Sequence, residues 1–73
     1  MYSRRTCGLC DEARAAIESV RGRVPFAFDE IMIDGDDGLE ARYGLRVPVV
    51  EVDGREVFEY EVSPEELRRL VSR

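Results

Sequence analysis

Two cysteines three positions apart, Cys7 and Cys10, are the only thiols in this chain of 73 residues, and no histidine accompanies them. Without histidine there is no Ser/His or Cys/His nucleophile pair and no His-ligated zinc. A Cys-x-x-Cys then has three uses: a redox dithiol, half of a four-cysteine metal site, or a structural staple. As a staple it closes too short a loop to remove much entropy from the unfolded chain. As a metal site it lacks two ligands and needs carboxylates or the cysteines of a second subunit. As a redox dithiol it needs only to stand where a helix begins.

The flanking residues put it there. Residues 1–3 have room for the stub of a strand, and Arg4, Arg5 and Thr6 form a loop leading to the pair. Beyond it Ala13, Ala16, Ile17 and Val20 recur at helical spacing as one apolar stripe. Asp11 and Glu12 occupy the first turn, where the helix dipole favours acids, and Gly22 is a natural stop. At the helix start Cys7 is favoured as a thiolate by unpaired N–H groups, with Arg4 and Arg5 adding positive charge. Cys10, one turn in and followed by Asp11 and Glu12, is expected to be more buried and harder to ionise. A thiol of pKa about 8.5 is only about 3% ionised at pH 7, and lowering it to about 7 takes roughly 2 kcal/mol and gives about half thiolate.

The remaining chain supplies a scaffold. Residues 26–33 are apolar and rich in aromatic and β-branched side chains, interrupted by Asp29 and Glu30, and read as a strand behind Pro25. Asp34 to Gly38 is turn chemistry and a helix cap, too poor in ligands for a calcium loop, and a short helix over residues 39–43 puts Leu39 and Tyr43 on one face. Residues 49–52 and 56–60 read as strands joined by Asp53-Gly54, both suited to the positive φ of a type I′ hairpin. Ser63-Pro64-Glu65-Glu66 reads as a capping box with proline at the first helical position, followed by Leu67, Leu70 and Val71 as a buried stripe. The predicted order is β-α-β-α-β-β-α, one domain over residues 1–73.

On these residues the sequence resembles the glutaredoxin-like branch of the thioredoxin superfamily. One matching block runs from Tyr2 to Ala13 through Cys7-Gly8-Leu9-Cys10, and the other is Tyr43-Gly44-Leu45-Arg46-Val47-Pro48-Val49. The resemblance implies a thioredoxin-like α/β fold with a four-stranded mixed sheet in the order 2-1-3-4. It also implies Cys7 as nucleophile, Cys10 as resolving thiol and a cis Val47-Pro48 bond beside them; the residues alone leave open a trans proline opening a strand. Arg4, Arg5, Arg46, Val47 and Pro48 flank the pair as candidate substrate-binding residues. The implied activity is thiol–disulfide exchange with a protein or small-molecule disulfide, recharged by a reductase. No cofactor is required beyond the Cys7–Cys10 disulfide, and no metal. The alternative is a non-enzymatic module that binds a partner or shares a metal between subunits through its cysteines.

Two features depart from the pattern. Strand one is nearly absent, although the implied sheet places it between strands two and three. Glutaredoxins hold the γ-glutamyl end of glutathione with a Gly-Gly pair before the last helix, where this chain has Phe58-Glu59-Tyr60-Glu61-Val62-Ser63-Pro64. Glu59 and Glu61 would repel an anionic tripeptide, and Ser63 with Glu66 occupies the helix end that would receive its carboxylate. Arg4, at a basic position of the family, leaves room only for weak glutathione binding.

Sixteen acidic against 11 basic residues give a net charge of −5, with no basic block to neutralise a phosphate backbone, so nucleic acid is excluded as a partner. Apolar runs such as Val47 to Val50 are no longer than a strand, and no secretory apolar segment opens the chain. The expectation is a cytoplasmic monomer away from membranes.

Overall fold

Helix α1, Gly8–Arg21, buries the stripe Cys10, Ala13, Ile17 and Val20 in the computed structural model, which describes residues 1–72. Burying side chains such as Ile17 and Val20 is worth about 1.5–3 kcal/mol each, against about 0–1 kcal/mol for an exposed ion pair. The stripe therefore sets how the helix docks. Its partners are Met1, Val50 and Leu67, with Phe26, Phe28, Val52, Val57, Phe58, Val62 and Val71 packed around them.

The other elements are β1 (Tyr2–Ser3), β2 (Ile31–Met32), α2 (Asp37–Tyr43), β3 (Val49–Val52), β4 (Arg55–Glu59) and α3 (Pro64–Val71). The sheet has four strands in the order β2-β1-β3-β4. Strand β1 is parallel to β2 and antiparallel to β3, and β3 and β4 form an antiparallel hairpin. This is the mixed thioredoxin-like sheet. Helices α1 and α3 cover one face, where Val50 and Val52 point. Helix α2 covers the other, where Ile33, Tyr43 and Val49 are buried with Tyr2, Leu39 and Val47 against them. There Tyr2 and Tyr43 stack with ring centroids 4.0 Å apart.

Local chemistry accounts for the boundaries. Asp36 caps α2 by accepting a hydrogen bond from the Leu39 N–H at 3.0 Å, and Ser63 caps α3 by accepting from the Glu66 N–H at 3.3 Å. The capping box is completed on that side only, because the Glu66 carboxylate pairs with Arg69. In the hairpin turn Asp53 and Gly54 take φ of 52° and 83°, as a type I′ turn requires. A register shift between Val50 and Glu51 leaves Val57 unopposed, so that Val57 and Phe58 both reach the α1/α3 core.

One expected strand is much shorter than its composition suggests. Of residues 26–33 only Ile31–Met32 pair, because β1 offers only Tyr2 and Ser3 as partners. The Ile31 and Ile33 N–H groups donate to the Met1 and Ser3 carbonyls at 2.8 and 2.9 Å. The segment before them is held by other groups: the Met1 amino group donates to the Asp29 carbonyl at 2.7 Å, and Arg21 donates to the Phe26 carbonyl at 3.2 Å with its guanidinium over the Phe26 and Phe28 rings. The second hairpin strand also ends one residue early, at Glu59, since Tyr60 turns to a φ of 66°. Helix α2 starts at Asp37, earlier than Leu39, as its Asp36 cap dictates.

Ser3 is fully buried, and its hydroxyl donates to Glu30 at 2.6 Å. Arg14 of α1 holds the same carboxylate with two bonds, from Nε at 2.8 Å and Nη2 at 2.5 Å. Helix and strand are tied at one carboxylate. The Arg14 hydrogen bonds, followed by the Ser3 hydroxyl, outweigh desolvation and hold Glu30 below its usual 4.5. A carboxyl lowered in the fold contributes stability above its unfolded value, and that stability is lost as pH falls through the folded one. Glu30→Gln should therefore cost on the order of 1 kcal/mol at pH 7, reduced from a buried pair because solvent reaches Arg14. Urea denaturation at pH 7 and at pH 3 is the check. The gap between variant and wild type should narrow at the lower pH, and an unchanged gap would contradict the role given to the charge.

Candidate active site

Cys7 is the N-cap of α1, with extended backbone at φ −154° and ψ 105°. The loop Arg4-Arg5-Thr6 delivers it there directly from β1. Its sulfur is bonded to that of Cys10 with Cα atoms 5.2 Å apart, and it also accepts a hydrogen bond from the Cys10 N–H at 3.1 Å. An acceptor at the N-cap is what a helix start recruits, and a sulfur carrying negative charge fits it best. The two thiols differ in access. Cys10 is 0% exposed and belongs to the core stripe of α1, whereas Cys7 is half-buried at the surface. Above the intervening turn there is open space, since a Cβ on Gly8 would meet no atom within 4 Å.

The chain topology brings a second segment to the same end of the sheet. Tyr2 pairs with Val49 in antiparallel register, so the residue before Val49 lies beside the end of β1 that feeds the cysteine loop. That residue is Pro48, buried, and its bond to Val47 is cis. Its carbonyl accepts from the Tyr60 N–H at 2.9 Å, and the Tyr60 hydroxyl donates to the Leu45 carbonyl at 3.1 Å. Tyr60 thereby straps the strand-bound end of the proline loop.

Tyr60 was not a candidate on sequence grounds. A positive φ on a bulky residue costs about 1–3 kcal/mol and persists only where its surroundings enforce it. Here the two bonds just named enforce it, with a third from the Glu61 N–H to the Glu59 carbonyl at 2.7 Å closing a γ-turn. The signal available in the sequence was positional: Tyr60 falls in the segment where glutaredoxins carry their glycine pair. The backbone keeps a conformation that suits glycine although the side chain does not.

The three arginines expected near the pair have different fates. Arg4 is committed to the Glu40 carboxylate at 2.8 Å and leans on the Gly44 carbonyl at 3.4 Å. Gly44 is required for this approach, because a Cβ there would lie 2.9 Å from the Arg4 guanidinium as well as against the Glu40 carbonyl. Arg46 turns to Glu56 at 2.9 Å and Glu59 at 3.7 Å, over the Tyr43 ring. The hydrogen bond between them raises the pKa of Arg46 and lowers that of Glu56. Arg5 is exposed, anchored through its backbone N–H to Asp34 at 3.1 Å. Among the described residues no three His, Cys, Asp or Glu side chains are grouped to hold a metal ion. No helix among them is long and apolar enough to cross a membrane.

A mixed β2-β1-β3-β4 sheet, a cysteine pair at the start of its first helix and a cis-proline at the same sheet end define a thiol redox-type module of the thioredoxin-like fold. Residues 1–72 match the family described as Glutaredoxin-like domain (DUF836), and the chain belongs to that family. An uncharacterized protein of Mycobacterium tuberculosis, Rv0508, is 31% identical over 78 residues, spanning all of this chain and 80% of that protein. A counterpart in Mycobacterium bovis, Mb0520, matches equally. The X-ray structure of the structural-genomics target XcR50 from X. campestris superposes with a TM-score of 0.81 at 39% identity, over 97% of this chain and 91% of that one. Its solution structure gives 0.79 at 38%, over 99% and 88%.

The difference in burial predicts the order of reactivity. In reduced protein at neutral pH, limiting iodoacetamide should label Cys7 well before Cys10, as read by peptide mass spectrometry. Preferential labelling of Cys10 would reverse their roles.

Proposed function

We propose that the protein is a dithiol–disulfide oxidoreductase. The observation that carries this reading is the unequal access of two bonded sulfurs: Cys7 caps the helix at the surface and Cys10 lies buried behind it. In the reduced form the Cys7 thiolate attacks one sulfur of a substrate disulfide, forms a mixed disulfide and expels the other substrate sulfur as thiolate. Cys10, deprotonated, then attacks the Cys7 sulfur and expels the second substrate thiolate, leaving the Cys7–Cys10 bridge. The protein's dithiol loses two electrons and the substrate disulfide gains them. An external dithiol reductant of the thioredoxin-reductase kind restores the starting state, which favours a cytoplasmic setting where such reductants are maintained.

Glutathione is the weaker candidate for that recharging step. Ser63 already accepts an N–H at the start of α3, and Arg4 and Arg46 are spent on Glu40 and Glu56. Recruiting either arginine to a glutathione carboxylate means breaking an existing pair for a new one of similar worth.

Two variants and one comparison test the proposal. Cys7→Ser should abolish disulfide reduction, and Cys10→Ser should accumulate a mixed disulfide with substrate, visible as added mass that a reductant removes. In coupled assays following NADPH oxidation, the thioredoxin-reductase arm should outpace the glutathione and glutathione-reductase arm in a Cys7-dependent way. Faster turnover with glutathione would sink the choice of reductant. An inactive wild type that purifies with metal bound by its cysteines would instead establish the shared-metal module.

A further inference from the structure

Beside the cysteine pair lies a cleft of about 230 Å³, lined by Leu9, Glu12 and Ala13 of α1 and by Tyr60, Glu61 and Val62 before α3. Leu9 stands between the two cysteines in sequence, so one wall of the cleft belongs to the turn that carries them. Leu9 and Tyr60 are 42% and 48% exposed and give it apolar walls. Its two carboxylates differ from most of their acidic neighbours, Glu65 in the first turn of α3 excepted. Asp11 is paired with Arg14, Glu59 with Arg46 and Glu66 with Arg69. The carboxylates of Glu12 and Glu61 are exposed and meet no hydrogen-bond or ion-pair partner among the described residues.

We infer that this cleft docks a polypeptide substrate carrying Lys or Arg next to its disulfide-bonded cysteine, with an apolar side chain against Leu9 and Tyr60. The inference rests on the oxidoreductase reading and names its substrate class. Charge complementarity selects the occupant: two carboxylates without a partner line the cleft, one on α1 and one on the segment before α3, and a cation between them gains from both. The cleft is smaller than a typical small-molecule pocket of about 300–1,000 Å³, which suits a side chain on a longer chain better than an enclosed ligand. The same groups oppose an acidic segment, so the device selects as well as attracts. Arg5, exposed on the loop before Cys7, is tied through its backbone N–H to Asp34 and does not line the cleft.

The reaction in question is a single turnover: pre-reduced protein attacks a peptide disulfide, the Cys7 sulfur bonds to one peptide sulfur, and the other leaves as thiolate. The probes are disulfide-linked dimers of a short peptide, identical except that the residue beside cysteine is Arg, Gln or Glu. Stopped samples are read by mass spectrometry. At low ionic strength the Arg peptide should react about tenfold faster than the Glu peptide, from two solvent-exposed charge contacts, and the ratio should shrink as salt rises. The double variant Glu12→Gln with Glu61→Gln should bring the ratio of Arg-peptide to Glu-peptide rates close to one. A remote pair, Glu18→Gln with Asp29→Asn, makes the same change in net charge and should preserve the ratio. Equal wild-type rates for the Arg and Glu peptides would overturn the docking inference and leave the oxidoreductase reading intact, as would a preference that survives in the Glu12/Glu61 variant or vanishes in the remote one. Failure to react with every peptide would overturn both.

Discussion

The backbone of Tyr2 and Ser3 bonds to β2 on one side and β3 on the other, and the placement of both cysteines depends on that central strand. A strand so short can hold its place only if its flanks are fixed by other means. Ser3 is buried and donates to Glu30, which Arg14 clamps from α1. Four residues beyond Ser3, Cys7 caps the same helix. The loop carrying Cys7 is thus anchored at its strand end by sheet bonds and at its helix end by the docked α1 stripe. Little freedom remains between them, which is how a chain of this size can present a sulfur at a defined site without a deep core.

What the sequence disclosed depended on how local each cause is. Asp53-Gly54, Ser63 and the placing of Cys7 at a helix start are short-range chemistry, and each is found where its residue types put it. Strand length is not local. Residues 26–30 have strand-like composition, yet an extended segment becomes a strand only where a partner backbone exists, and β1 is too short to serve all of it. The left-handed Tyr60 was hidden for a related reason: the bonds enforcing it come from Pro48 and Leu45, more than ten residues away along the chain. The cis bond at Pro48 was legible only through family resemblance, since the X-Pro dipeptide alone admits both isomers.

The arginines show the same limit at the site. Sequence position set Arg4 and Arg46 beside the cysteine loop, but their guanidinium groups are claimed by Glu40, on α2, and by Glu56 and Glu59, on β4. With both cations paired internally, the exposed carboxylates of Glu12 and Glu61 lining the Leu9–Tyr60 cleft meet no ion-pair partner among the described residues. An anionic ligand would meet like charge in that cleft. No individual residue type in the motif blocks announces this.

Burial of Cys10 also bears on how the proposed exchange can finish. A thiol within an apolar stripe gains little from solvent or from the helix end in forming its thiolate, so intrinsic reactivity is a poor source of rate for the second displacement. Position is a better one. Cys7 and Cys10 are already within bonding geometry across one helical turn, and an intramolecular attack from a fixed neighbour has an effective concentration far above that of any thiol in solution. Under the proposed exchange, the surface cysteine would govern which substrate is engaged and the buried one its release. Protection of Cys10 from bulk oxidants and alkylators follows from the same packing that holds α1 on the sheet, so the redox pair and the fold share one set of contacts.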